Sequence, residues 1–196
     1  MMNTDIIAIV KDFTEIGVDI LLDDGLLKDI PIVNTIHSIS KICNTISDKL
    51  LFKKIHKLLI ELDTLTIEER MKLFKKLEEE PKLKQKTSIY ILELLDKIDD
   101  EHKTKMIFKV FKAYSDEIIT YEMFYRLNKV IKEISSIDIC NIREEINRYN
   151  KQDSFQKLGF LSLQNAFDGA VYNKTDLFEK FIKLNLDEIY IKSDNE

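Results

Sequence analysis

The sequence predicts a mainly α-helical protein, a multi-helix bundle with a small β-hairpin near its carboxyl end. Three observations predict it. Only 4 Gly and 2 Pro occur in 196 residues, too few for turn-dense sandwiches and barrels, for collagen or for low-complexity linkers. Apolar residues recur at alternating steps of three and four through most of the chain, the period of a helix with one buried face. One stretch near the carboxyl end breaks that period around Asp168-Gly169, a dipeptide that favours a tight hairpin. A chain of this length buries roughly two-thirds of its unfolded surface. The expected organisation is a helical bundle over 1–150 and a helix, hairpin and helix tail over 151–196 packed on it, within one compact protein.

The first predicted helix carries Ile6, Ile9, Phe13, Ile16 and Ile20 on one face, with Asp5, Asp12, Glu15 and Asp19 between them. Gly25 follows, where a left-handed cap residue is commonly needed. Asp29 can cap a second helix because Pro31 falls in its first turn, where a missing N–H costs little. That helix repeats the spacing through Ile32, Ile36, Ile39, Cys43, Ile46 and Leu50. Its other face is poor in charge. Asn34, Thr35, Ser38, Ser40, Asn44, Thr45 and Ser47 lie there, with Lys41 the one formal charge between Ile30 and Ser47. Two readings fit: a central helix buried on both sides, or a helix facing a partner. A membrane surface would want Lys and Arg on the polar face, so a protein partner is favoured, with Asn34, Thr35, Ser38, Lys41 and Thr45 the candidate contacts.

Beyond Leu50, the residues Leu51, Ile55, Leu58, Leu59 and Leu62 form an apolar face beside Lys49, Lys53, Lys54, His56 and Lys57, which read as a solvated face. Thr66-Ile67-Glu68-Glu69 has the spacing of a capping box; Met71, Phe74 and Leu77 follow, and Pro81 ends the helix near Glu80. Another apolar face runs from Ile89 to Ile98. Asp99 or Asp100 then caps a helix with Met106, Ile107, Val110 and Phe111. Thr120 caps the next, with Tyr121, Phe124, Leu127 and Ile131 inward. Leu158-Gly159 ends a helix, Phe160 to Phe167 extends, Asp168-Gly169 turns, and Ala170-Val171-Tyr172 pairs back. Thr175 caps a last helix with Leu177, Phe178, Phe181 and Ile182.

The chemistry of several function classes is missing. Gly17, Gly25, Gly159 and Gly169 never cluster into a phosphate-binding loop. A calcium loop with Ile119 at its eighth position would put Lys112 first, Glu117 sixth and Met123 twelfth, whereas calcium needs carboxylates at the ends and glycine at the sixth. Arg70, Arg126, Arg143 and Arg148 each lack a histidine after four to six intervening residues, so the motif of small helical ribonucleases is not there. Adjacent carboxylates such as Glu68/Glu69, Asp99/Asp100 and Glu144/Glu145 diverge on a helix. His37, His56, His102, Cys43 and Cys140 have no metal-ligand or disulfide spacing. The expectation is therefore no enzyme, no metal and no cofactor. Two scattered cysteines and no signal-like amino end suit a cytoplasmic protein. The longest stretch free of formal charge, Ile30 to Ser40, has 11 residues, short of the about 20 that cross a bilayer.

The net charge of −5 has no basic arm behind it, and lysine outnumbers arginine 26 to 4. Nucleic-acid binding is the alternative reading. Asn141, Arg143, Asn147, Arg148 and Lys151 are types that reach base edges, but Glu144, Glu145 and Asp153 lie among them, and phosphate neutralisation supplies much of such affinity. The stretch LGFLSLQNAFDGAVYNKTDLFEKFI resembles the wing and closing helix of winged-helix domains. Residues 155–182 also resemble the carboxyl end of bacterial abortive-infection alpha-type proteins, which implies a phage-defence or mobile-element setting and carries no catalytic residue with it. The leading expectation is a non-enzymatic protein that acts by protein–protein contact or self-association. A DNA-binding regulator is the alternative and a membrane-associating effector the second alternative. If helix two is the contact, Ser38→Glu with Thr45→Glu abolishes association, measured by light scattering, and leaves the monomer folded.

Overall fold

A computed structural model of the chain describes residues 46–83, 85–148, 151–166 and 169–194. The expected helix over 6–20 and most of that over 32–50 lie outside them. The chain divides into two compact units, Met1–Asp96 and Lys97–Glu196. Residues 151–196 thus share a unit with 97–150.

In the first unit, α1 spans Ile46–Asp63, α2 Ile67–Glu78 and α3 Thr87–Lys97. The apolar faces expected before and beyond Leu50 meet, from Ile46 on, in one continuous helix. Its buried face holds Phe52, Ile55, Leu58, Leu59 and Leu62, while Leu50 is 54% exposed. Five residues separate Leu50 from Ile55, which turns it about 140° away at roughly 100° per residue. The capping box expected at Thr66 forms: the Glu69 N–H donates to Thr66 Oγ1 at 3.2 Å, and the Thr66 N–H donates to Glu69 Oε2 at 2.9 Å. Met71, expected inward, faces out at 59% exposure; Arg70, Leu73, Phe74 and Leu77 form the buried face instead. Arg70 is buried because its guanidinium reaches Asp63 Oδ1 at 3.3 Å. In α3, Ile91, Leu94 and Leu95 are buried.

The second unit contains α4 (Lys103–Ser115), α5 (Tyr121–Glu133), α6 (Ser136–Glu145), α7 (Gln152–Lys157), β1 (Leu161–Ala166), β2 (Gly169–Lys174), α8 (Asp176–Lys183) and α9 (Leu186–Asp194). The mainly helical class and the hairpin are those the sequence predicts. The α4 helix packs on α5, with the Phe111 and Phe124 rings 5.1 Å apart edge to face. The last helix, α9, packs on both α4 and α6, and α8 packs on α5 and α9. Phe155, Phe160, Phe178 and Phe181 bring the hairpin's base into the core, with Phe160 5.1 Å from Phe181 and 5.5 Å from Phe178.

Two helix ends share one device. After α7, the Phe160 N–H donates to the Phe155 carbonyl and the Gly159 N–H to that of Gln156, with Gly159 at φ +82°. This is the glycine-capped ending in which the orphan carbonyls are satisfied and the residue after the glycine touches the last turn. After α4, the same pair of bonds runs from Ile118 to Ala113 and from Glu117 to Tyr114, but Glu117 takes the left-handed position at φ 61°. A non-glycine there is uncommon, and with Glu117 in that position no glycine marks this end in the sequence.

The hairpin's register pairs Leu161 with Lys174 and Ala166 with Gly169. Gly169, expected in the turn, is instead paired with Ala166 and opens β2. Thr120, Ser135 and Thr175 cap α5, α6 and α8 through side chains that accept from Met123, Asp138 and Phe178 N–H groups. The expected caps Asp99 and Asp100 behave differently. The α4 helix begins at Lys103 after a tight turn, and Asp100 accepts the His102 N–H at 2.8 Å while Asp99 binds the Lys103 ammonium.

Candidate functional site

The partner-facing candidates Asn34, Thr35, Ser38, Lys41 and Thr45 lie outside the described residues. The nucleic-acid candidates are all described. Asn141 and Arg143 sit on α6, Asn147 and Arg148 follow its end, and Lys151 precedes α7. Arg143 is turned toward α9: its Nε donates to Asp187 Oδ2 at 2.5 Å, and its Nη2 to Asp187 Oδ1 at 3.2 Å and Glu188 Oε1 at 3.0 Å. The hydrogen bond that Arg143 donates to buried Asp187 raises the Arg143 pKa, against the lowering effect of burial. Arg148 donates to Glu145 at 2.5 Å. Lys151 meets Asp138 at 2.8 Å and Glu145 at 3.8 Å, and the Asp138 contact raises its pKa. The Asn141 amide donates to the Ile137 carbonyl at 3.1 Å. The structure therefore brings Arg148 and Lys151 together on Glu145 and sends Arg143 to another helix. All four arginines of the sequence are in ion pairs, since Arg70 meets Asp63 and Arg126 meets Asp176 at 3.3 Å.

A second polar cluster has no counterpart in the sequence reading. Asp100 accepts hydrogen bonds from the Tyr190 hydroxyl on α9, from Ser136 Oγ at 3.2 Å at the start of α6, and from the His102 N–H. The His102 ring stands edge to face with Tyr190, centroids 6.3 Å apart. Burial alone would push the Asp100 carboxyl up, but the donors from Tyr190, His102 and Ser136 together hold it below the usual carboxylate range. One turn on, the fully buried Lys103 ammonium donates to Asp99 Oδ1 at 2.5 Å and to the Ile134 carbonyl at 2.6 Å. That carbonyl lies at the end of α5, where helices leave acceptors unfilled. The Asp99-Asp100 pair marks a helix start in sequence; Ser136 and Tyr190, 36 and 90 residues away, carry no local signal. Chemically the cluster is a brace, in which the Asp99 and Asp100 carboxylates and the Lys103 ammonium fasten the starts of α4 and α6 and the end of α5 to the middle of α9.

The hairpin is built differently. Thr175 Oγ1 donates to the Gly159 carbonyl at 2.6 Å and the Thr175 N–H donates to Phe160 at 3.0 Å, which closes the base. Tyr172 Oη reaches Asp153 of α7 at 3.1 Å. Beyond those ties, Ser162, Leu163, Gln164, Val171, Asn173 and Lys174 are exposed. Leu163 pairs with Tyr172 and Val171 with Gln164, and adjacent pairs alternate faces. Leu163, 44% exposed, and Val171, 46% exposed, therefore stand on opposite faces of a two-stranded sheet.

Among the described residues, no helix is long and apolar enough to cross a membrane, and no three His, Cys, Asp or Glu side chains stand together as a metal ion would need. No protein-family model matches the chain, and neither a curated protein nor a solved structure matches it.

Proposed function

We propose that this chain is a non-enzymatic protein that works by contact with another protein or a second copy of itself. The observation that carries the reading is the hairpin, anchored at its base and presenting Leu163 and Val171 to solvent on opposite faces. The base of the ribbon packs on α7 through buried Leu161, while the strands beyond it expose Leu163 and Val171, and strand edges are ready templates for another chain. Its exposed side chains also favour a protein over a nucleic acid. The strands Leu161–Ala166 and Gly169–Lys174 carry one charge, Lys174, whereas a wing that tracks phosphates needs several. Carboxylates already hold Arg143, Arg148 and Lys151. The phage-defence setting rests on the resemblance of residues 155–182 alone.

The test is a double substitution, Leu163→Lys with Val171→Lys, on side chains exposed enough to leave the fold intact. Light scattering reads self-association, and retention of a native-cell protein on the immobilised chain reads a partner. The proposal expects one of the two to be lost while circular dichroism is unchanged. Association that the double variant keeps in both assays, or salt-sensitive DNA binding lost on Arg143→Ala with Arg148→Ala, overturns it.

A further inference from the structure

We draw no further inference here: the strongest candidate, the solvent-facing β1–β2 hairpin with Leu163 and Val171 on opposite faces, already carries the proposed binding role, and nothing in the structure shows which strand or surface covers it.

Discussion

The Tyr190 hydroxyl donates to the Asp100 carboxylate across 90 residues of sequence, and this bond ties the last helix to the turn that opens α4. Asp100 holds two further donors, so its geometry is fixed from three directions. The Tyr190 side chain is almost wholly buried. Its hydroxyl thus gains a charged acceptor in a site where an unpaired one would be costly.

Tyr190→Phe keeps the ring and removes only that donor. Hydrogen bonds to charged groups contribute about 1.5–3 kcal/mol, and the part-exposed carboxylate argues for the lower end. The expected loss in urea unfolding is roughly 1–2 kcal/mol. An unchanged midpoint would show that the bond does not hold α9.

Acid should loosen the second unit by the same route. The Asp100 and Asp138 carboxyls both lie below their ordinary value: burial opposes this, and donors from Tyr190, His102 and Ser136 in one case, and from Lys151 and Ser135 in the other, outweigh it. A depressed folded pKa means stability that is fully present above the unfolded value, near 4, and lost as pH falls through the folded one. Thermal unfolding between about pH 5 and 2 should show this decline, less steeply in Tyr190→Phe. His56 in the first unit adds an earlier step. Burial lowers its pKa, so the unfolded chain takes up the proton first and stability falls below about pH 6.5. His56→Gln should remove that step alone.

Gly159→Ala tests the ending of α7. Its φ of +82° suits glycine, and an added Cβ would lie 3.3 Å from Leu177 Cδ2. The left-handed position costs an L-residue about 1–2 kcal/mol, so denaturant titration should show at least that loss. Glu117→Gly, at φ 61°, should move the other way by a few tenths to about 1 kcal/mol, with the penalty for a side chain relieved but chain entropy opposing.

Asn128 offers a gain. It is 1% exposed on α5, and among the described residues neither carboxamide atom has a hydrogen-bond partner. A buried polar group left unpaired costs about 1–3 kcal/mol, and leucine is close in size. Asn128→Leu should stabilise by roughly 1 kcal/mol; a drop in the unfolding midpoint would show that the amide has a bound-water partner worth keeping.

What the sequence by itself determined is local: the helical class, the caps at Thr66, Thr120 and Thr175, the glycine ending at Gly159 and the presence of a hairpin. Each depends on residues within about one turn of each other, and their spacing states it. It read less well where packing chose between neighbouring options. Met71 or Leu73 can both satisfy a helical period, and burial of Arg70 on Asp63 selects the face that leaves Met71 outside. The hairpin's register shifted by one from the dipeptide signal for a related reason: the base is fixed by Thr175 on Gly159, and the turn follows from the pairs that base sets. Only the tertiary structure decided the Asp100 brace and the redirection of Arg143 to Asp187, 44 residues on. Groups that far apart meet through the packing of α9 on α4 and α6, and no spacing rule along a chain encodes a meeting of its distant faces.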